Sequence, residues 1–164
     1  MRCHHQLPER VIHILKGEFH SDLQWQRDYD PSLPAVQGSK DQLIQAILNI
    51  ARNACQALQQ TERARIVFKT RVVRQFTIGS VRHRQIMHLS ITDNGPGIPE
   101  DLIDRVFFPM ISGRNEGSGL GLSISQNIVG QHGGTLQVVS RPGNTEFSVY
   151  LPFSGPNQPN EAKE

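Results

Sequence analysis

The sequence predicts an α/β fold: a two-layer sandwich whose mixed, mostly antiparallel sheet is covered on one face by helices. Three observations carry that expectation. Helix-period stretches alternate with a short strand-like run in the first third of the chain. Two long alternating runs follow across a tight turn, and a helix leading into a second pair of alternating runs closes the pattern. At 164 residues the chain has the length of one domain with one sizeable core.

Residues 7–19, LPERVIHILKGEF, read as a short helix. Pro8 suits its first turn, Val11, Ile12, Ile14 and Leu15 make an apolar side, and Gly17 stands where it can end. The run DLQWQRDYD alternates through Leu23 and Trp25 like a strand, before the turn residues of DPSLP. Ser39 with Gln42 three residues on is a capping-box pair, opening a helix to about Leu58. Its expected buried stripe is Ile44, Ile47, Leu48, Ala51, Ala54 and Leu58. Residues 65–76 and 81–92 predict two strands turning near Gly79 and Ser80, with Met87, Leu89 and Ile91 on one face.

PEDLIDRVF predicts a short helix and PMISGRNEGSG a glycine-punctuated loop. A helix from about Leu120 to His132 has Gly133 and Gly134 as its stop, and TLQVVS with TEFSVYLP reads as a hairpin around RPGN. After Pro152 the tail FSGPNQPNEAKE has little to bury. The expected organisation is a helix and strand over 1–38 leading into the domain, a core over 39–152, and a disordered tail over 153–164.

Composition narrows the function classes. Hydrophobic residues make up 37% and charged residues 20%, and the formal charge of +2 comes from mixed signs. That argues against a dedicated nucleic-acid binder. Cys3 and Cys55 are the only cysteines, which leaves no disulfide framework or cysteine metal site and fits a reducing, cytoplasmic setting. No apolar run approaches the ~20 residues of a membrane span, and no signal-peptide pattern opens the sequence.

Three motifs carry chemistry. In EGSGLGLSISQ, Gly117, Gly119 and Gly121 precede an apolar helix-like run. A Walker loop requires Lys and Ser or Thr after its last glycine, and Leu122 stands there. A dinucleotide fingerprint requires glycine at 122 or 124, and those positions hold Leu122 and Ile124. What survives is a loop running into a helix whose first amides lack partners and receive phosphate without a lysine. A plain flexible linker is the alternative.

In ITDNGPGIPEDL, Asp93 follows an apolar strand, so its carboxylate sits at the strand's end, where it can accept from the exocyclic amine of adenine. Gly95 and Gly97 permit a tight turn and a flat ligand's approach, although Asp-Asn-Gly is also ordinary turn chemistry. Asp41, Gln45, Asn49 and Asn53 form a polar row at i, i+4 on the helix from Ser39. Asparagine is a mediocre helix former, and an asparagine carbonyl suits a hard cation that also holds phosphate. A solvent-facing row is the alternative.

These blocks occur in a specific order, and together they resemble the N, G1 and G2 boxes of the GHKL ATP-binding superfamily. VFFPM at Val106–Met110 is similar to the F box of its histidine kinases, and GNTEFSVYLP to their last shared block. The resemblance covers roughly Asp41 to Pro152 and implies the Bergerat fold. It implies that Asp93 reads adenine, that Gly95, Gly97 and Ile98 line the base pocket, and that Thr145 backs Asp93. It further implies magnesium on Asn53 with Asn49 supporting, and ATP phosphates cradled by Gly117, Ser118, Gly119, Leu120, Gly121 and Leu122. The basic residue usual soon after the box asparagine is replaced by Gln56 or Ala57, which leaves the cation facing the phosphates open, with Arg114 as a candidate.

Hydrolysing members of the superfamily place a glutamate one helical turn before the metal-binding asparagine, as general base. Here that position is Asn49, whose amide cannot take the proton, and LNIARNA resembles the kinase form of the box. Kinases of this type phosphorylate a histidine followed by an acidic residue on a separate dimerisation domain. None of the seven histidines here precedes an acid, so the acceptor domain is expected outside this sequence. RDYDPSLP, FFPMISGR and NTEFSVYLP resemble the nitrogen-regulation sensor kinases. That implies a homodimeric cytoplasmic kinase, this portion alone being a monomer, with an NtrC-like response regulator and the PII signal protein as partners. A conformational ATPase and a nucleotide-independent interaction module are the competing readings.

Overall fold

The computed structural model describes residues 5–19, 22–107 and 121–154. Its elements are α1 (Gln6–Glu18), β1 (Gln24–Asp28), α2 (Lys40–Ala57), β2 (Arg65–Ile78), β3 (Val81–Asp93), α3 (Glu100–Ile103), α4 (Gly121–Gln131), β4 (Thr135–Arg141) and β5 (Asn144–Pro152). The five strands form one sheet in the order β1-β2-β3-β5-β4. β1 runs parallel to β2 and every other pairing is antiparallel, which is the expected mixed sheet. α1, α2 and α4 contribute buried apolar side chains to a core shared with Ile66, Phe68, Leu89, Ile91, Phe147 and Val149 of the sheet.

Local chemistry sets the element ends. Ser39 caps α2, its hydroxyl accepting from the Gln42 N–H at 3.3 Å. The Ser39 N–H donates to Nε2 of His132, at 3.1 Å, while His132 Nδ1 meets the Ile128 carbonyl at 2.8 Å. An acceptor at Nε2 fixes the proton on Nδ1, so one neutral imidazole ties the end of α4 to the start of α2. α4 stops as expected: Gly133 adopts φ +76 and the Gly134 N–H returns to the Val129 carbonyl at 2.9 Å.

Several expectations need correction. The buried side of α2 is wider than the predicted stripe and rotated from it: Leu43, Ala46, Ile50 and Cys55 are buried with Ile47, Ala51, Ala54 and Leu58. Ile44 and Leu48 are only partly covered. A helix packed on a sheet with α1 and α4 against it buries an arc, which one-stripe periodicity does not capture. Gly17 lies inside α1, which continues to Glu18, and Ile14 is half-buried. The predicted helix in PEDLIDRVF is a single turn. The strand expected over 65–76 extends to Ile78 and, with β3, projects past β5, whose pairing begins at Ile86.

Phe153, assigned by sequence to the tail, is 8% exposed in the core, and its carbonyl accepts from the Gln37 N–H at 3.0 Å. Residues 155–164 of that tail lie outside the described residues.

Candidate nucleotide site

Asp93 is the last residue of β3 and is 3% exposed. Its Oδ1 accepts from the Gly95 N–H at 2.9 Å, so the turn that follows orients the carboxylate that precedes it. A Cβ at Gly95 would stand 2.9 Å from that same oxygen and 3.4 Å from the Ala57 carbonyl. Close approach is what this glycine supplies. Gly97 has φ +89, and a Cβ there would meet the Arg141 carbonyl at 2.9 Å.

The β4–β5 hairpin closes the other flank. Thr145 is the cross-strand partner of Asp93 and is 4% exposed. Its hydroxyl lies 2.7 Å from Ser140 Oγ, which accepts from the Ile98 N–H at 2.8 Å. The Gly143 N–H donates to the Gly95 carbonyl at 2.8 Å. Asp93, Gly95, Gly97 and Ile98 of one stretch and Thr145 of another thus meet at one corner. A cleft of about 710 Å³ opens beside it, between Gln56, Ala57 and Gln60 at the end of α2 and the Asn94–Pro96 turn.

The amide row on α2 divides. Asp41 and Gln45 are exposed, whereas Asn49 points at α4, its Nδ2 donating to the Gly121 carbonyl at 3.3 Å. Ser125 Oγ bridges the same two helices, donating to the Ala46 carbonyl at 2.7 Å. Asn53 lies one turn beyond Asn49, half-buried. Gly121 and Leu122 begin α4, with Leu122 packed against the core. Arg114, Gly117, Ser118, Gly119 and Leu120 lie outside the described residues. Ser140, Gly143 and Ser125 had no signal in the sequence, because each acts through a backbone partner distant along the chain.

Electrostatics near the corner are those of a buried carboxylate. Burial pushes the Cys55 thiol up to about 12, and the nearby Glu18 and Asp93 charges add to it. This cysteine is an inert packing group. Among the described residues no group of three or more His, Cys, Asp or Glu side chains is placed to hold a metal ion.

With this geometry in place, comparison with known proteins decides the family. Residues 38–155 match the family described as histidine kinase-, DNA gyrase B-, and HSP90-like ATPase. The chain belongs to that family. Its relatives include the sensory histidine kinase/phosphatase NtrB of Vibrio alginolyticus, 48% identical over 91% of this chain and 43% of that protein. NtrB of Klebsiella oxytoca is 47% identical over 91% of this chain and 42% of its own length. The chain therefore spans about two fifths of these relatives.

Among solved structures, the mycobacterial sensor histidine kinase MprB superposes with a TM-score of 0.74 at 26% identity, covering 90% of this chain and 93% of the other. The catalytic domain of histidine kinase ThkA gives 0.74 at 23% identity, covering 90% of each, and shares the fold. Within the family, this is the ATP-binding catalytic domain of the histidine-kinase type.

Proposed function

We propose that this chain binds Mg-ATP and transfers the γ-phosphoryl group to a histidine on a separate dimerisation domain. The observation that carries the reading is the Asp93 carboxylate, oriented by the Gly95 amide and backed by Thr145, with the Asn94–Pro96 turn that follows it lining a cleft beside α2. A fixed, buried acceptor of this kind favours a base that offers an amine and disfavours one that offers a carbonyl. Gly95, Gly97 and Ile98 line the base. The start of α4, with Gly117, Ser118, Gly119, Leu120, Gly121 and Leu122, receives the phosphates at the positive end of the helix dipole, with Arg114 as the facing cation.

Magnesium fits the donor set. Asn53, one turn from the Asn49–Gly121 contact, would hold it through its amide oxygen, with Asn49 in support. When bound, the ion neutralises charge on the phosphate oxygens. The chain's own share is positioning. It holds the nucleotide in line for attack by an imidazole nitrogen from the other domain, so that the bond to the β-phosphate oxygen breaks as the N–P bond forms and ADP leaves. Asn49 already donates its amide to a backbone carbonyl and cannot serve as a base for water.

The NtrB relatives support a wider setting for this reading. It is a cytoplasmic two-component system controlling nitrogen-regulated transcription, with a homodimeric full-length kinase, an NtrC-like response regulator and the PII signal protein. This portion alone is a monomer.

Calorimetry should detect Mg-ATP binding by the chain, weakened at least about tenfold in Asp93→Asn through loss of a charge-assisted hydrogen bond. No binding by the unaltered chain, or unaltered binding by the variant, overturns the reading. Adding an acceptor-histidine domain should yield labelled phosphohistidine from radiolabelled ATP. Sustained phosphate release with no acceptor present would instead mark a conformational ATPase.

A further inference from the structure

The turn carrying Asp93 is clamped from two sides, and one clamp is a side chain with no part in the contacts proposed above. Asn94 follows Asp93 directly. Its Oδ1 accepts from the Arg65 N–H at 2.7 Å, and its Nδ2 donates to the Arg63 carbonyl at 3.0 Å. Its own N–H donates to the Arg65 carbonyl at 3.3 Å. These three bonds carry the β2–β3 ladder one residue beyond its last pair, Ile66 with Asp93. They also hold Arg63, which has φ +52, in the left-handed region that non-glycine residues rarely occupy.

Asparagine is suited to this place because one planar amide offers a donor and an acceptor side by side. An aspartate accepts only, and an alanine does neither. The consequence reaches the carboxylate through the backbone. Gly95 supplies the N–H that orients Asp93 Oδ1; on the β2 side its neighbour Asn94 is bonded to Arg63 and Arg65, and on the opposite flank Gly95 is pinned by Gly143. Release of the Asn94 amide lets the turn rotate and takes the Gly95 N–H, and with it the carboxylate, off its direction.

We infer that Asn94 is a positioning residue for base selection: its clamp on Arg63 and Arg65 sets the direction of the Asp93 carboxylate, and so the preference for a purine bearing an exocyclic amine. This rests on the reading of Asp93 as the base-recognising group. In that reading Asn94 borders the cleft with Gly95 and Pro96, while its side-chain amide is spent on Arg63 and Arg65.

The test measures affinities for ATP and inosine triphosphate, which differ in the amine that Asp93 would read, using the 164-residue chain with magnesium. The unaltered chain should prefer ATP. Asn94→Ala should lose about tenfold of that preference, with affinity for inosine triphosphate nearly unchanged. Asn94→Asp keeps the acceptor for the Arg65 N–H and loses the donor to Arg63, so its ratio should fall between the two. It also carries the test if the alanine variant does not fold. On an Asp93→Ala background, Asn94→Ala should produce no further change in the ratio.

A merely structural role would lower both affinities together and leave the ratio intact. That result, with Asp93→Ala abolishing the preference, overturns the inference while sparing the Asp93 reading. An unaltered chain that binds both nucleotides alike, or a preference that survives Asp93→Ala, overturns the Asp93 reading and this inference with it.

Discussion

Gly95 and Gly97 sit two residues apart in one turn, yet they are glycine for different reasons, and their substitutions should separate. A methyl group at Gly95 meets Asp93 Oδ1, a side-chain atom in the candidate site, at 2.9 Å. A methyl group at Gly97 meets the Arg141 carbonyl, a backbone atom of the β4–β5 hairpin, and must also adopt φ +89. Gly95→Ala should therefore lower ATP affinity at least about tenfold, with a destabilisation of about 1–3 kcal/mol from local overpacking. Gly97→Ala combines a disfavoured backbone conformation with a clash that no rotamer change relieves, and its main effect should be a lower melting temperature. Calorimetry beside thermal melts of both variants checks the separation. Equal loss of affinity per degree of melting temperature lost would count against it.

At the scale of elements, the helical layer is held together by polar ties laid over apolar packing. His132 joins α4 to the cap of α2, Ser125 joins their middles, Asn49 ties mid-α2 to the start of α4, and Arg52 of α2 pairs with Glu18 of α1 through two hydrogen bonds at 2.7 and 3.0 Å. Hydrogen bonding to Arg52 holds the Glu18 carboxyl below its ordinary 4.5, against a smaller opposing effect of burial. A carboxyl whose folded value is lowered stabilises the fold above its unfolded value, and that contribution is lost as pH falls through the folded value. Both side chains are more than a third exposed or nearly so, which limits the contribution to about 1 kcal/mol or less. Urea midpoints of Glu18→Gln should fall slightly below those of the unaltered chain near pH 7 and converge with them as pH falls below 4.5 and through the lowered folded value. A gap that stays constant across that range would show that the pair does not act through its charge.

For the whole molecule, the N-terminal helix and strand are part of the body. The family match begins at residue 38, yet β1 pairs with β2 along its length, and Val11, Ile12, Leu15 and Leu33 are at most 1% exposed. Exposing four such side chains forfeits about 1.5–3 kcal/mol each, comparable to the whole stability of an ordinary domain. A chain starting at Ser39 should lose its cooperative thermal transition, and a sharp melt near the full chain's temperature would refute this. Element order, the Ser39 cap, the Gly133 stop and the glycine turns were legible in the sequence, because each is a local preference of a few neighbouring residues. So was the grouping of Asp93, Gly95, Gly97, Ile98 and Thr145, through the order of their motifs. The width of α2's buried face, the burial of Phe153 and the His132 tie were not, because each depends on which elements pack around the residue. Asn49 shows the division most plainly. Its side chain, an amide and not a carboxylate, rules out a general base from the sequence alone, while only the packing of α4 on α2 decided that the amide meets the Gly121 carbonyl. The same holds for Asn94: residue type supplied a donor and an acceptor, and tertiary contact with Arg63 and Arg65 chose their partners.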